Sequence, residues 1–126
     1  MTEIDLEYLK QWEGKTETHH DVVSLGTAQA MAATLDWDEL PQAGDALAKP
    51  GHWLHFLPTA RQSDISTDGH PKKGGFLPPV PLPRRMWASG KVDFHSSLHI
   101  GDALRRVSTV KSVTHKQGGS GNLVFV

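Results

Sequence analysis

The chain has 126 residues, of which 37% are hydrophobic and 21% charged, with no cysteine and a formal net charge of −1. That is material for one domain with one core and excludes a disordered tail. Without cysteine there are no disulfides or thiolate sites, and with no membrane-length apolar run and an acidic start at Met1-Thr2-Glu3-Ile4-Asp5, a cytoplasmic protein with no membrane partner is expected.

Thr2-Glu3-Ile4-Asp5 fits a capping box, and Ile4, Tyr8 and Trp12 recur four apart. Residues 3 to 12 therefore predict a short amphipathic helix, stopped by Gly14. Lys15 to Val23 mixes Thr, His and Val in rough alternation, as a strand with one wet face does. Ser24 can cap a helix over Leu25 to Leu35, whose Leu25, Ala28, Ala30, Met31, Ala32, Ala33 and Leu35 leave almost no polar side. Such a helix is expected to be wrapped by other structure, and its eleven residues span about 16 Å, the width of four or five strands.

Asp36 to Gly51 carries Pro41, Gly44, Pro50 and Gly51 among acids and reads as an exposed loop. His52-Trp53-Leu54-His55-Phe56-Leu57 is an apolar patch too short to assign by periodicity. Thr59 to Lys73 is polar and turn-rich, and long connections of this kind often bind ligands. The proline-rich run from Leu77 to Pro83 leads into a predicted strand over Met86 to His95 and a turn at Gly101-Asp102. Ala103 to Lys116 predicts a second, bent strand. Gly118 to Asn122 is a hairpin signal, and Leu123 to Val126 begins a third strand that is expected to continue in a longer polypeptide.

The order of a buried helix followed by an antiparallel meander, with Gly90, Phe94, Gly101 and Asp102 spaced as Gly-(x)3-Phe-(x)6-Gly-Asp, resembles the hotdog fold of the MaoC-like hydratases and dehydratases. His52 to Pro58, Gly69-His70-Pro71-Lys72, Gly74-Gly75-Phe76-Leu77-Pro78-Pro79 and Pro83-Arg84-Arg85-Met86-Trp87 are similar, more narrowly, to the N-terminal hotdog half of the hydroxyacyl-thioester dehydratase type 2 branch. The resemblance implies an α+β hotdog, an antiparallel sheet around one central helix, as a single domain over residues 1–126. It implies reversible addition of water to an enoyl thioester carried by CoA or an acyl-carrier protein, with no separate cofactor. Hotdogs work in pairs, so a second hotdog, covalent or in a homodimer, is the expected partner.

In that family an Asp/His acid–base pair follows the central helix of the catalytic hotdog. Here Asp36-Trp37-Asp38-Glu39 follows it, and the next histidine is His52, beyond a Pro- and Gly-containing loop. No catalytic residue is therefore assigned, and the chain reads as the substrate-pocket half. Its candidate lining residues are His52, Trp53, Phe56, Phe76, Pro79, Arg84, Arg85, Met86 and Trp87.

Each has a plainer reading. His52, Trp53 and Phe56 can be core packing. The prolines can stiffen a loop, or present a polyproline ligand, although the arginine spacing fits that poorly. Arg84 and Arg85, adjacent on an extended segment, point to opposite sides, so one can reach an anion while the other faces a carboxylate of its own fold. Lys72 and Lys73 read as solvated.

Among eight histidines, the pairs His52/His55 and His95/His99 have helix-like spacing without the right surroundings, so no metal is expected. Ten acidic residues against two lysines up to Asp45, and eleven Lys/Arg against four Asp after it, leave a basic second half. It can face a nucleotide phosphate or pair within the fold, and no nucleic-acid partner is expected. A non-catalytic thioester-binding subunit is the alternative. A thioesterase would need a carboxylate on the central helix, and Leu25 to Leu35 has none.

Overall fold

The computed structural model describes residues 3–126. The chain divides into two compact units, one of Met1–Glu17 (described from residue 3), Thr59–Gly90 and Val107–Val126, the other of Thr18–Pro58 and Lys91–Arg106. The class is α+β with few helices. Strand β1 (Thr16–Val22) pairs with β2 (Ala103–Thr109), and β3 (Thr114–Gly118) pairs antiparallel with β4 (Gly121–Phe125).

In the first unit, Asp5 caps α1 (Leu6–Leu9), its Oδ1 accepting the Tyr8 N–H at 3.0 Å, and a 3-10 turn follows over Lys10–Trp12. The helix thus begins later than the sequence predicts, because Asp5 supplies the cap. The expected cap Thr2 lies outside the described residues. The inward face also differs: Leu9 is 2% exposed, whereas Tyr8 is 47% exposed and stacks edge-on against Trp12. Leu9, Val110 and Val113 form the core, with Ile4, Leu6, Phe76, Val80 and Val124 against it. Gly14 then takes φ +84°, a conformation that suits glycine, and its N–H donates to the Val110 carbonyl.

The predicted strand over 103–116 is two strands. Between them Val110 and Val113 turn inward, and their N–H groups find the Lys15 carbonyl and the Glu13 carboxylate. Gly118 pairs with Gly121 across the expected hairpin turn.

Proline removes backbone donors, so the carbonyls of a proline-rich run must be met by other groups. Lys73 Nζ donates to the Val80 and Leu82 carbonyls at 2.6 and 2.9 Å. Trp12 Nε1 and Lys15 Nζ both donate to the Gly75 carbonyl. Lys73 is therefore a clamp on the proline segment, not the solvated lysine expected.

In the second unit, Ser24 caps α2 (Leu25–Thr34) through a 3.2 Å bond from Thr27 N–H, as the sequence predicts. Ala28 and Ala32 are buried, and Val23, Ala28, Leu47, Ile100 and Leu104 form the core with Phe56 and Leu98 packed on it. The segment expected as a free loop is tied down: Gly44 and Leu47 donate to the Ile100 and Leu98 carbonyls, and Ile100 donates to that of Asp45. Residues 86–95 form no strand. Val92 and Phe94 alternate as a strand would, but a strand needs a paired neighbour, and this stretch has none among the described residues.

Candidate functional site

The patch His52 to Leu57 sits on the second unit as a 3-10 turn over Gly51–Leu54 followed by His55 in extended backbone. The His52 ring lies 5.6 Å from Trp53 and 5.6 Å from Phe94, the latter edge-on. Below them a cavity of about 20 Å³ is lined by Leu47, Lys49, His52, Phe94, Ser96 and Leu98, among others. Lys49 Nζ lies 5.0 Å from the Phe94 ring centroid, a cation over an aromatic face. Trp53 is 60% exposed.

Phe56 has φ +58°, a left-handed backbone that a bulky side chain rarely adopts. Asp21 holds it there. One oxygen of that carboxylate accepts the Phe56 N–H and the other the Val22 N–H, each at 2.8 Å. Those two bonds, with a smaller contribution from nearby His55, hold the Asp21 carboxyl below its ordinary value. The Arg106 guanidinium carbon lies over the Phe56 ring, 5.0 Å from its centroid.

His55 is buried, with Nδ1 3.1 Å from the Gly51 carbonyl and Nε2 accepting the Ser24 N–H at 3.3 Å. Those partners assign the proton to Nδ1. This histidine joins the helix cap to the 3-10 turn, so its role is structural.

The other candidates lie on the first unit. Phe76 packs on the Leu9–Val110–Val113 core, and Pro79 is half-buried beside buried Pro78. Arg85 donates from Nε to Asp68 at 2.9 Å and from Nη2 to the Pro71 carbonyl at 2.7 Å. Asp68 also accepts the His70 N–H and the Ser66 hydroxyl. These two bonds, and then the Arg85 charge, hold its carboxyl down at about 2. Arg84 is exposed and has no hydrogen-bond or ion-pair partner among the described residues. Met86 and Trp87 are 86% and 79% exposed.

The structure therefore places His52, Trp53 and Phe56 on one unit, with the His52 and Trp53 rings 5.6 Å apart, and Phe76 to Trp87 on the other. It adds Lys49, Phe94, Asp21 and Asp68, which sequence reasoning did not place at a site. Phe94 enters the sequence reading only as a motif position. Lys49 and Asp21 carried no local signal, since each acquires its meaning from residues distant in sequence.

Asp36, with φ +60°, follows α2 and is exposed. His99 Nδ1 and Asp102 Oδ2 are 3.9 Å apart, but that carboxylate accepts the His99 N–H and closes the Gly101 turn. No group of three or more His, Asp or Glu able to hold a metal occurs among the described residues. Among the described residues no helix is long and apolar enough to cross a membrane.

Comparison with known proteins adds a chemical context. The family model of hydroxyacyl-thioester dehydratase type 2 matches residues 48–126, the stretch that carries the aromatic patch, the proline segment and the Gly101-Asp102 turn. The chain is also 47% identical over 116 residues to mesaconyl-C(4)-CoA hydratase of Chloroflexus aurantiacus (strain ATCC 29366 / DSM 635 / J-10-fl). The alignment covers 91% of this chain and 41% of that relative, so the chain spans about two fifths of the curated relative's length.

Proposed function

Since the chain belongs to the hydroxyacyl-thioester dehydratase type 2 family, we propose that it is the substrate-pocket half of an enoyl-thioester hydratase. The reaction adds hydroxyl to Cβ and a proton to Cα of an enoyl-CoA, and its reversal removes water from the 3-hydroxyacyl thioester. The 47% identity to a CoA hydratase carries this reading.

In the proposal the domain is a hotdog, with sheet closed over α2, and a second hotdog on the same polypeptide or a partner chain supplies the acid–base pair. That pair must reach one water and Cα together. Donors aimed at the thioester oxygen stabilise its developing negative charge. This chain contributes the candidate substrate-binding residues His52, Trp53, Phe56, Phe76, Pro79, Arg84, Arg85, Met86 and Trp87. Arg85 is bonded to Asp68 and leaves Arg84 as the arm able to meet an anion. The substrate is an acyl-CoA or acyl-carrier-protein thioester handled in the cytoplasm, with no further cofactor.

The test follows the loss of the conjugated thioester's ultraviolet absorbance. The full-length protein is expected to hydrate an enoyl-CoA, and residues 1–126 alone to turn over at least about a thousandfold more slowly. Equal rates would overturn the division of labour. Thioester binding without hydration by the full-length protein would favour a non-catalytic binding subunit.

A further inference from the structure

The small cavity beside His52 has an apolar floor and a cationic rim. Leu47 and Leu98 belong to or pack on the buried core, while Lys49, His52 and Ser96 bring the polar atoms. At about 20 Å³ it is far below the volume of a site that encloses a whole ligand, and admits about one water or methyl group. Such a site grips one end of a substrate.

The charge at its rim has no counter-ion among the described residues. Lys49 Nζ rests on the Phe94 face, and no carboxylate pairs with it among the described residues. Asp93, the nearest acid in sequence to Phe94, is 3.4 Å from Lys91 instead. The aromatic face holds the ammonium in place without neutralising it, because the ring offers a quadrupole and not a full charge. The His52 ring, edge-on to the same Phe94, fixes the ring that positions the lysine.

An apolar hollow beside an unneutralised ammonium matches a short apolar group that ends in an anion. We propose that Lys49 is a specificity-determining residue that pairs with a carboxylate carried on the acyl chain, so that the site selects dicarboxylic enoyl thioesters over straight-chain ones. This rests on the hydratase reading above.

The experiment compares the full-length protein with its Lys49→Met and Lys49→Arg variants on mesaconyl-C(4)-CoA and on crotonyl-CoA, which lacks the second carboxylate. Lys49→Met is expected to raise KM for the dicarboxylic thioester by about ten- to a hundredfold, the loss typical of a charge-assisted bond. KM for crotonyl-CoA should change less than about threefold, which also shows the variant to be folded, and Lys49→Arg should restore most of the preference. Equal losses on both thioesters would place the anion on CoA and overturn the proposal, as would no loss on either. If the unsubstituted protein hydrates crotonyl-CoA but shows no preference between the two, only this inference fails. Hydration of neither would overturn the hydratase reading and this inference with it.

Discussion

Arg84 and Arg85 are neighbours of one type with different work. Alternation along an extended segment says that they diverge, and that much was legible in the sequence. Which of them turns inward was not, because the decision lies with Asp68, seventeen positions back, and with the Pro71 carbonyl. The Asp68 carboxyl lies at about 2 in the fold against an ordinary 3.8, so its anchoring is complete above about pH 4 and is lost as pH falls through 2. Hydrogen exchange should show the His70 amide losing protection across that window, and Asp68→Asn should remove the pH dependence while leaving a weaker anchor. Arg85→Met should loosen the same amides at neutral pH. Arg84→Met should not, since Arg84 has no partner among the described residues to lose.

At the scale of elements, those stabilised by their own sequence were readable and those stabilised by distant partners were not. The helix after Ser24 and the hairpin at Gly118–Gly121 carry their caps and turns locally. Replacing Ser24 with Ala removes the acceptor for Thr27 N–H and should cost about 1 kcal/mol in urea unfolding, whereas Ser24→Asp should retain most of it. The strand expected over 86–95 has the right alternation and no paired neighbour among the described residues. Gly51 shows the converse, a residue whose importance is invisible until the fold is known. A Cβ there would lie 2.8 Å from Leu47 Cγ, inside the buried core. Gly51→Ala should therefore destabilise by about 1–3 kcal/mol and disturb the His52 turn, which thermal melts of the variant beside Gly75→Ala, where an added Cβ meets nothing and φ is not positive, would separate from simple glycine entropy.

At the scale of the molecule, the chemical family was legible because the proline and arginine run and the aromatic patch are unusual in composition. The arrangement into two compact units, each drawing on separated stretches of chain, was not legible, because no linker composition marks their boundaries. Both cores are small, and Leu9 is nearly fully buried in the first. Leu9→Ala should cost about 2–5 kcal/mol, a large fraction of the stability available to a domain of this size.

The central claim is that this chain shapes the substrate site and leaves proton transfer to another domain. His52 tests it most directly, being the one histidine among the candidate lining residues. In the full-length protein, His52→Phe keeps a ring at the cavity and removes the titratable group. Steady-state hydration of an enoyl-CoA should then show kcat within about threefold of the unsubstituted protein, with any larger change confined to KM. A fall in kcat of about a hundredfold or more at unchanged KM would make His52 an acid–base group and contradict the account.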